Sequence, residues 1–264
     1  VTSQGAARVQ LENELRLALA RRELEVHFQP QVVLANRGIG GVEALMRWPH
    51  RHRGWISSDE FIPIAEDSNL IHPLGEFALA RGCRQIVEWE QAGLPPVRLA
   101  IKVSARQFWS VGFARTVEVT LLLADLEPDR LELELTGGAI VESPDRALVI
   151  LKKLRGLGLR IAIDDYGGPL TQMPVDCLKV HRSFVRRFAE KGLQAGIAGA
   201  IIALARTHGL RVVAEGVDTV EQLDFAVSHG CDEAQGDVFC PPLPADALAP
   251  LLASGIVSGP WPAS

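Results

Sequence analysis

The chain has 264 residues and a mass of 28.7 kDa, long for one ordinary domain and typical of an α/β barrel. Hydrophobic residues make up 47% of it, which supplies a sizeable core and excludes global disorder. A net charge of -5 argues against a general DNA-binding or membrane surface, and leaves room for a phosphate ligand held by local cations.

Cys83, Cys177, Cys231 and Cys240 form no CxxC pair and no zinc spacing with histidine. They read as reduced, mostly buried thiols of a cytosolic protein. No run of about 18 apolar residues is present to span a membrane. A first residue other than Met, with no signal peptide, reads as a domain cut from a longer chain. The expected organisation is a leading helix or linker over residues 1–23, a barrel over 24–255 and a tail over 256–264.

In chain order, residues 6–22 have helical character. Residues 26–34 (VHFQPQVVL) form a first strand, which Pro30 marks as irregular or near an edge. Residues 39–48 (IGGVEALMRW) form a second, with Glu43 among apolar neighbours, a costly place for an unpaired acid. HRHRG at 50–54 reads as a solvated basic loop. A short helix opens at Ser58 and a longer amphipathic one covers 69–92. The third strand, 97–104 (VRLAIKVS), carries Lys102, and a helix covers 113–123. Residues 131–136 (LELELT) alternate strictly, with Glu132 and Glu134 on one face: toward water by default, toward the site inside a barrel. A helix over 144–157, stopped by glycines, precedes the apolar run that ends in Asp164 and Asp165. Strands at 174–180, 210–216 and 231–239 follow, with helices at 193–208, 217–229 and 245–252.

Eight strand-like runs alternating with helices after one leading helix indicate a single α/β barrel. The first two runs lie too close for a crossover helix and should pair antiparallel. Asp164 and Asp165 close a buried parallel strand, where such folds hold ligands, although aspartates there also serve as simple helix caps. On one rim the strand ends offer Glu43, Lys102, Glu134, Asp164, Asp165, Lys179, Glu215 and Gln235. So many carboxylates repel one another unless divalent cations or lysines stand among them. Oxygen ligands of this kind suit Mg²⁺ or Mn²⁺, and paired ions suit phosphodiester cleavage.

FQPQ at Phe28, EALMRW at Glu43, KVSARQF at Lys102, LELELT at Leu131 and IAIDDYG at Ile161 resemble the EAL domain family. So do PVDCLKVHRSFV at Pro174, VVAEGVDT at Val212 and GCDEAQGDVF near the end, in order along almost the whole chain. The resemblance implies a modified TIM-like (β/α)8 barrel with one antiparallel strand, and active members that cut cyclic di-GMP to pGpG with Mg²⁺ or Mn²⁺. It implies metal-ligand positions at Glu43, Glu134, Asp164 and Glu215, with Asp165 serving a second metal. Lys179, with Glu215 and Asp164, falls on catalytic positions. Gln29, Glu43, Leu45, Arg47, Lys102, Asp165 and Gln235 fall on or beside positions that meet the dinucleotide. A guanidinium at Arg47 suits a phosphate.

The departures cluster. Lys102 stands where the family has a metal-binding asparagine, Gly137 where it has a loop-clamping glutamate, and His181 where it has another carboxylate. YGGPLTQM replaces the usual segment after the paired aspartates and is about six residues shorter, a large cut for such a connection. The expectation is a degenerate member that binds cyclic di-GMP as a receptor, with no metal in the native state. It would work beside an upstream signalling domain or a protein partner in the bacterial cytoplasm. A weakly active phosphodiesterase using Mg²⁺ or Mn²⁺ is the alternative, and a nucleotide-free interaction module the third. Homodimerisation, common in the family near the shortened segment, stays open.

Overall fold

The computed structural model describes residues 3–164, 173–186, 193–257 and 261. The strands are β1 (Glu25–Val33), β2 (Ile39–His50), β3 (Gly54–Ile56), β4 (Arg98–Val103), β5 (Leu131–Thr136), β6 (Arg160–Asp164), β7 (Cys177–Val180), β8 (Arg211–Glu215) and β9 (Glu233–Gln235). All but β3 close into a barrel in the order β1-β9-β8-β7-β6-β5-β4-β2, with β1 returning to β2. β1 runs antiparallel to both neighbours and every other barrel pairing is parallel. The short link between β1 and β2 dictates this, since a parallel partner would need a crossover.

Pro30 lies inside this closed barrel and not at an edge. It shares the parity of Phe28, whose backbone bonds run outward to Leu243 at 2.7 and 3.0 Å. Only Val32 and Val33 pair with β9, so the missing proline N–H falls in a gap and leaves no ladder bond unmade. The ladder to β2 shifts register just beyond it, between Gln31 and Val32.

The helices are α1 (Ser3–Ala20), α2 (Ser58–Asp67), α3 (Ile71–Gln91), α4 (Ala105–Phe108), α5 (Phe113–Ala124), α6 (Gly137–Glu142), α7 (Pro144–Gly156), α8 (Arg182–Val185), α9 (Leu193–Thr207), α10 (Val220–Ser228) and α11 (Ala245–Ser254). Outward-facing Leu99, Ile101 and Val103 of β4 and Leu131, Leu133 and Leu135 of β5 join one core with residues of α3, α5 and α7. Truncating any of these buried leucines to Ala typically costs about 2–5 kcal/mol. The leading helix is part of the molecule's packing: Leu11, Leu15 and Ala18 join Trp48 of β2, Ile56 of β3 and Phe61 of α2. The basic stretch at 50–54 is the turn of a hairpin, in which Trp48 pairs with Ile56 and His50 with Gly54.

Inside the barrel the chemistry inverts. Ala162, Cys177 and Val213 make a small apolar plug. Beneath it, at the strand starts, Arg98 and Arg211 both reach Glu132 and Glu233. Glu132 therefore faces inward and is fully buried, the barrel alternative to a solvated face. All four cysteines are free and buried, and burial pushes Cys83 and Cys231 up to about 12. Among the described residues no helix is long and apolar enough to cross a membrane.

Candidate functional site

The rim is built by strand parity. In β4 the residues alternate so that Arg98, Ala100 and Lys102 face inward, and in β5 so do Glu132 and Glu134. Register then sets inward groups side by side: Gln29 opposite Glu43, Lys102 beside Glu134, Asp164 beside Lys179, and Glu215 beside Gln235. Eight strands thus bring Gln29, Glu43, Lys102, Glu134, Asp164, Lys179, Glu215 and Gln235 to one end of the barrel. Asp164 is the last residue of β6 and is buried.

Lys179 is the centre of this group. Its side chain is 0% exposed, and its Nζ lies 3.2 Å from Glu43 Oε2 and 2.5 Å from Glu215 Oε1 while also bonding Glu134. Burial alone would drive the ammonium toward neutrality, but Glu134, Glu215 and Glu43 outweigh it and hold its pKa well above the ordinary value. The Glu134 pKa rises as well, which for a carboxyl favours the neutral form. Burial first, then Glu43 and Glu215, push it up to about 8 against the pull of Lys179.

Lys102 points into the same rim. Its Nζ lies 2.8 Å from Asp164 Oδ2, and its side chain is 45% exposed toward the barrel mouth. Partial burial lowers its pKa, but Glu215, Glu43 and Asp164 raise it further, so the group remains a cation.

The glutamines form a second layer of contacts. Gln235 Nε2 donates to Glu43 Oε2 at 2.7 Å and to Gln29 Oε1 at 3.0 Å. Gln29 Nε2 in turn donates to the Cys240 carbonyl at 3.2 Å. Leu45 and Arg47 continue the inward face of β2 beyond Glu43 and are half-buried. Burial lowers the Arg47 pKa, with Glu43 opposing, and its Nη1 donates to the Met46 carbonyl at 2.9 Å. His181 caps α8, its Nδ1 accepting from the Ser183 N–H at 3.3 Å. Gly137 is buried at the start of α6. Asp165 and residues 166–172 lie outside the described residues.

Gln31, Arg98, Arg211 and Glu233 were not singled out by sequence reasoning. Gln31 Nε2 donates to Gln235 Oε1 at 3.2 Å, and its Oε1 accepts from Arg98 Nη2 at 2.8 Å. It joins the rim to the charged floor. The available signal was parity: Gln31 shares the face of Gln29, and Arg98 that of Lys102.

The donors for a cation are partly in place. One oxygen each from Glu43, Glu134 and Glu215 lie within 4.8 Å of one another. Glu134 Oε2, Asp164 Oδ1 and Glu215 Oε1 are buried without a hydrogen-bond partner among the described residues. The charges already present do not fit a metal pair, however. Lys179 forms ion pairs with all three glutamates and Lys102 with Asp164. An ammonium has three donors and no lone pair, so it cannot ligate an ion and must leave its carboxylate before one approaches.

The family model of the EAL domain matches residues 12–242, and the chain belongs to that family. It is 40% identical over 246 residues to the bifunctional diguanylate cyclase/cyclic di-GMP phosphodiesterase MucR of Pseudomonas aeruginosa, covering 91% of this chain and 36% of that protein. It is 38% identical over 250 residues to the cyclic di-GMP phosphodiesterase NbdA of the same species, covering 92% of this chain and 32% of NbdA. The chain thus spans about a third of the length of these curated relatives. The solved PaMucR phosphodiesterase in complex with c-di-GMP superposes with a TM-score of 0.87 at 40% identity, covering 90% of this chain and 99% of that one.

Proposed function

We propose that this EAL domain binds cyclic di-GMP as a receptor or regulatory module and turns it over poorly or not at all. The observation that carries the reading is the Lys102 ammonium at 2.8 Å from Asp164. It stands where the family resemblance places a metal-binding asparagine, and it repels an incoming cation. Gly137 and His181 remove two further acids from the same neighbourhood. The dinucleotide side of the site is kept in Gln29, Leu45, Arg47 and Gln235, and the related PaMucR domain holds c-di-GMP. On this reading the native state carries no metal. The domain signals in the cytoplasm through a neighbouring domain or a protein partner, as a monomer or a homodimer.

A second reading, a weak Mg²⁺- or Mn²⁺-dependent phosphodiesterase, draws on a separate observation. Four carboxylates (Glu43, Glu134, Asp164 and Glu215) face two ammoniums, and Glu134 Oε2 and Asp164 Oδ1 lack hydrogen-bond partners among the described residues, so residual negative charge could hold one ion. Incubating the domain with cyclic di-GMP and Mn²⁺, then separating nucleotides by chromatography, decides between the two. The receptor reading expects intact cyclic di-GMP retained by the protein. Metal-dependent pGpG accumulation over many turnovers would replace it with the enzyme reading.

A further inference from the structure

The rim poses an electrostatic problem for any phosphodiester. A ligand phosphate brought to Glu43, Glu134, Asp164 and Glu215 meets four carboxylates, and like charges a few ångströms apart repel strongly at protein dielectric. A cation must stand between acids and phosphate. The described site holds two ammoniums, and a donor inventory separates them. An ammonium has three N–H groups. Lys179 donates to Glu43 and Glu134, its Nζ lies 2.5 Å from Glu215 Oε1, and its side chain is 0% exposed. It neutralises the acids and is buried away from any ligand at the mouth. Among the described residues Lys102 has one carboxylate partner, Asp164, and a side chain 45% exposed at the mouth. Within that set it has N–H groups to spare for a ligand. The neighbouring amides are occupied, with Gln235 on Glu43 and Gln29 and the Gln29 amide on the Cys240 carbonyl.

We infer that Lys102 donates directly to a phosphodiester oxygen of the bound dinucleotide, acting as a fixed protein-borne cation in the place where a metal ion would otherwise mediate that contact. This rests on the receptor reading and adds the chemistry by which that receptor holds phosphate. Asp164 then competes with the ligand for the ammonium.

The test is calorimetric titration of cyclic di-GMP in EDTA at two salt concentrations. The proteins are the wild type, Lys102→Gln, Lys102→Arg and Asp164→Asn, each checked by circular dichroism for an intact fold. Loss of one charge-assisted phosphate contact is expected to weaken Lys102→Gln about tenfold or more. It should also flatten the salt dependence. Lys102→Arg, which keeps the charge, should stay within about threefold of the wild type. Asp164→Asn, which frees the ammonium, should bind at least as tightly as the wild type. Binding by Lys102→Gln with the wild-type affinity and salt slope would overturn the inference and leave the receptor reading standing. So would a loss in Asp164→Asn equal to that in Lys102→Gln, which would make the pair a structural unit. Absence of wild-type binding would overturn the receptor reading itself, and this inference with it.

Discussion

Lys102 and Lys179 carry the same group on the same barrel wall, and burial makes them different. Lys179 is sealed among three glutamates, so breaking its contacts strands buried charge; removing one partner of such a group typically costs about 3–5 kcal/mol. Lys179→Met is expected to lose stability of that order in urea unfolding. The sign of its pH dependence follows from Glu134. A carboxyl whose folded pKa is raised favours the folded state below its unfolded value, and loses that contribution as pH climbs through the folded one, about 8 here. Without the lysine the folded Glu134 pKa rises further, so the variant should lose more at about pH 8 than at about pH 5. A loss independent of pH would show that packing, not charge, dominates at Lys179. Lys102→Asn makes a separate prediction: Mn²⁺ affinity rises while pGpG turnover stays near background, because Gly137, His181 and the short segment after Asp165 remain. Robust turnover by that single variant would show that Lys102 alone holds back the chemistry. Lys102's inward direction was legible from the alternating Leu99, Ile101 and Val103. Its bond to Asp164 was not, since that depends on how β4, β5 and β6 fall into register across distant stretches of chain.

At the scale of elements, the join between β8 and β9 sets the position of Gln235. The sequence suggests a strand over residues 231–239, whereas β9 is Glu233–Gln235 only. The reason is Gly236, where a Cβ would sit 2.1 Å from the Val217 carbonyl oxygen and 2.4 Å from its nitrogen. The chain turns there against the end of β8, and Val217 N–H donates to the Gln235 carbonyl at 3.0 Å. Gly236→Ala must push backbone apart, a kind of overpacking that costs about 1–3 kcal/mol. It should also weaken cyclic di-GMP binding, by shifting the Gln235 amide off Glu43 and Gln29. Wild-type melting and binding in that variant would show that the turn is soft. The β3 hairpin was hidden for a related reason. HRHRG carries charges that favour a solvated loop, and only the packing of Trp48 and Ile56 against α1 and α2 makes its ends a strand pair. The short helices α4 and α6 fall in stretches with too few residues for a periodic signal. By contrast LELELT, with three leucines against two glutamates, announced its strand and its two faces directly.

At the scale of the whole molecule, the barrel interior is polarised along its axis. Its floor is balanced, two arginines against two glutamates, and the pairing there fastens β4, β5, β8 and β9 together. Its rim carries an excess of acid that two lysines only partly offset. Such an excess at the end of barrel strands is where ligand chemistry concentrates, whereas charge at the opposite end reads as stability. A net charge of -5 fits this arrangement, in which cations are local to the site and not spread over a surface. The most direct measurement is calorimetric titration of cyclic di-GMP into the wild-type domain, first in EDTA and then with Mn²⁺, followed by a check of the mixture for pGpG. The receptor reading predicts saturable heat in EDTA, little change with Mn²⁺ and no pGpG. Heat or product that appears only with metal would contradict it, and would mean that an ion enters the rim despite Lys102.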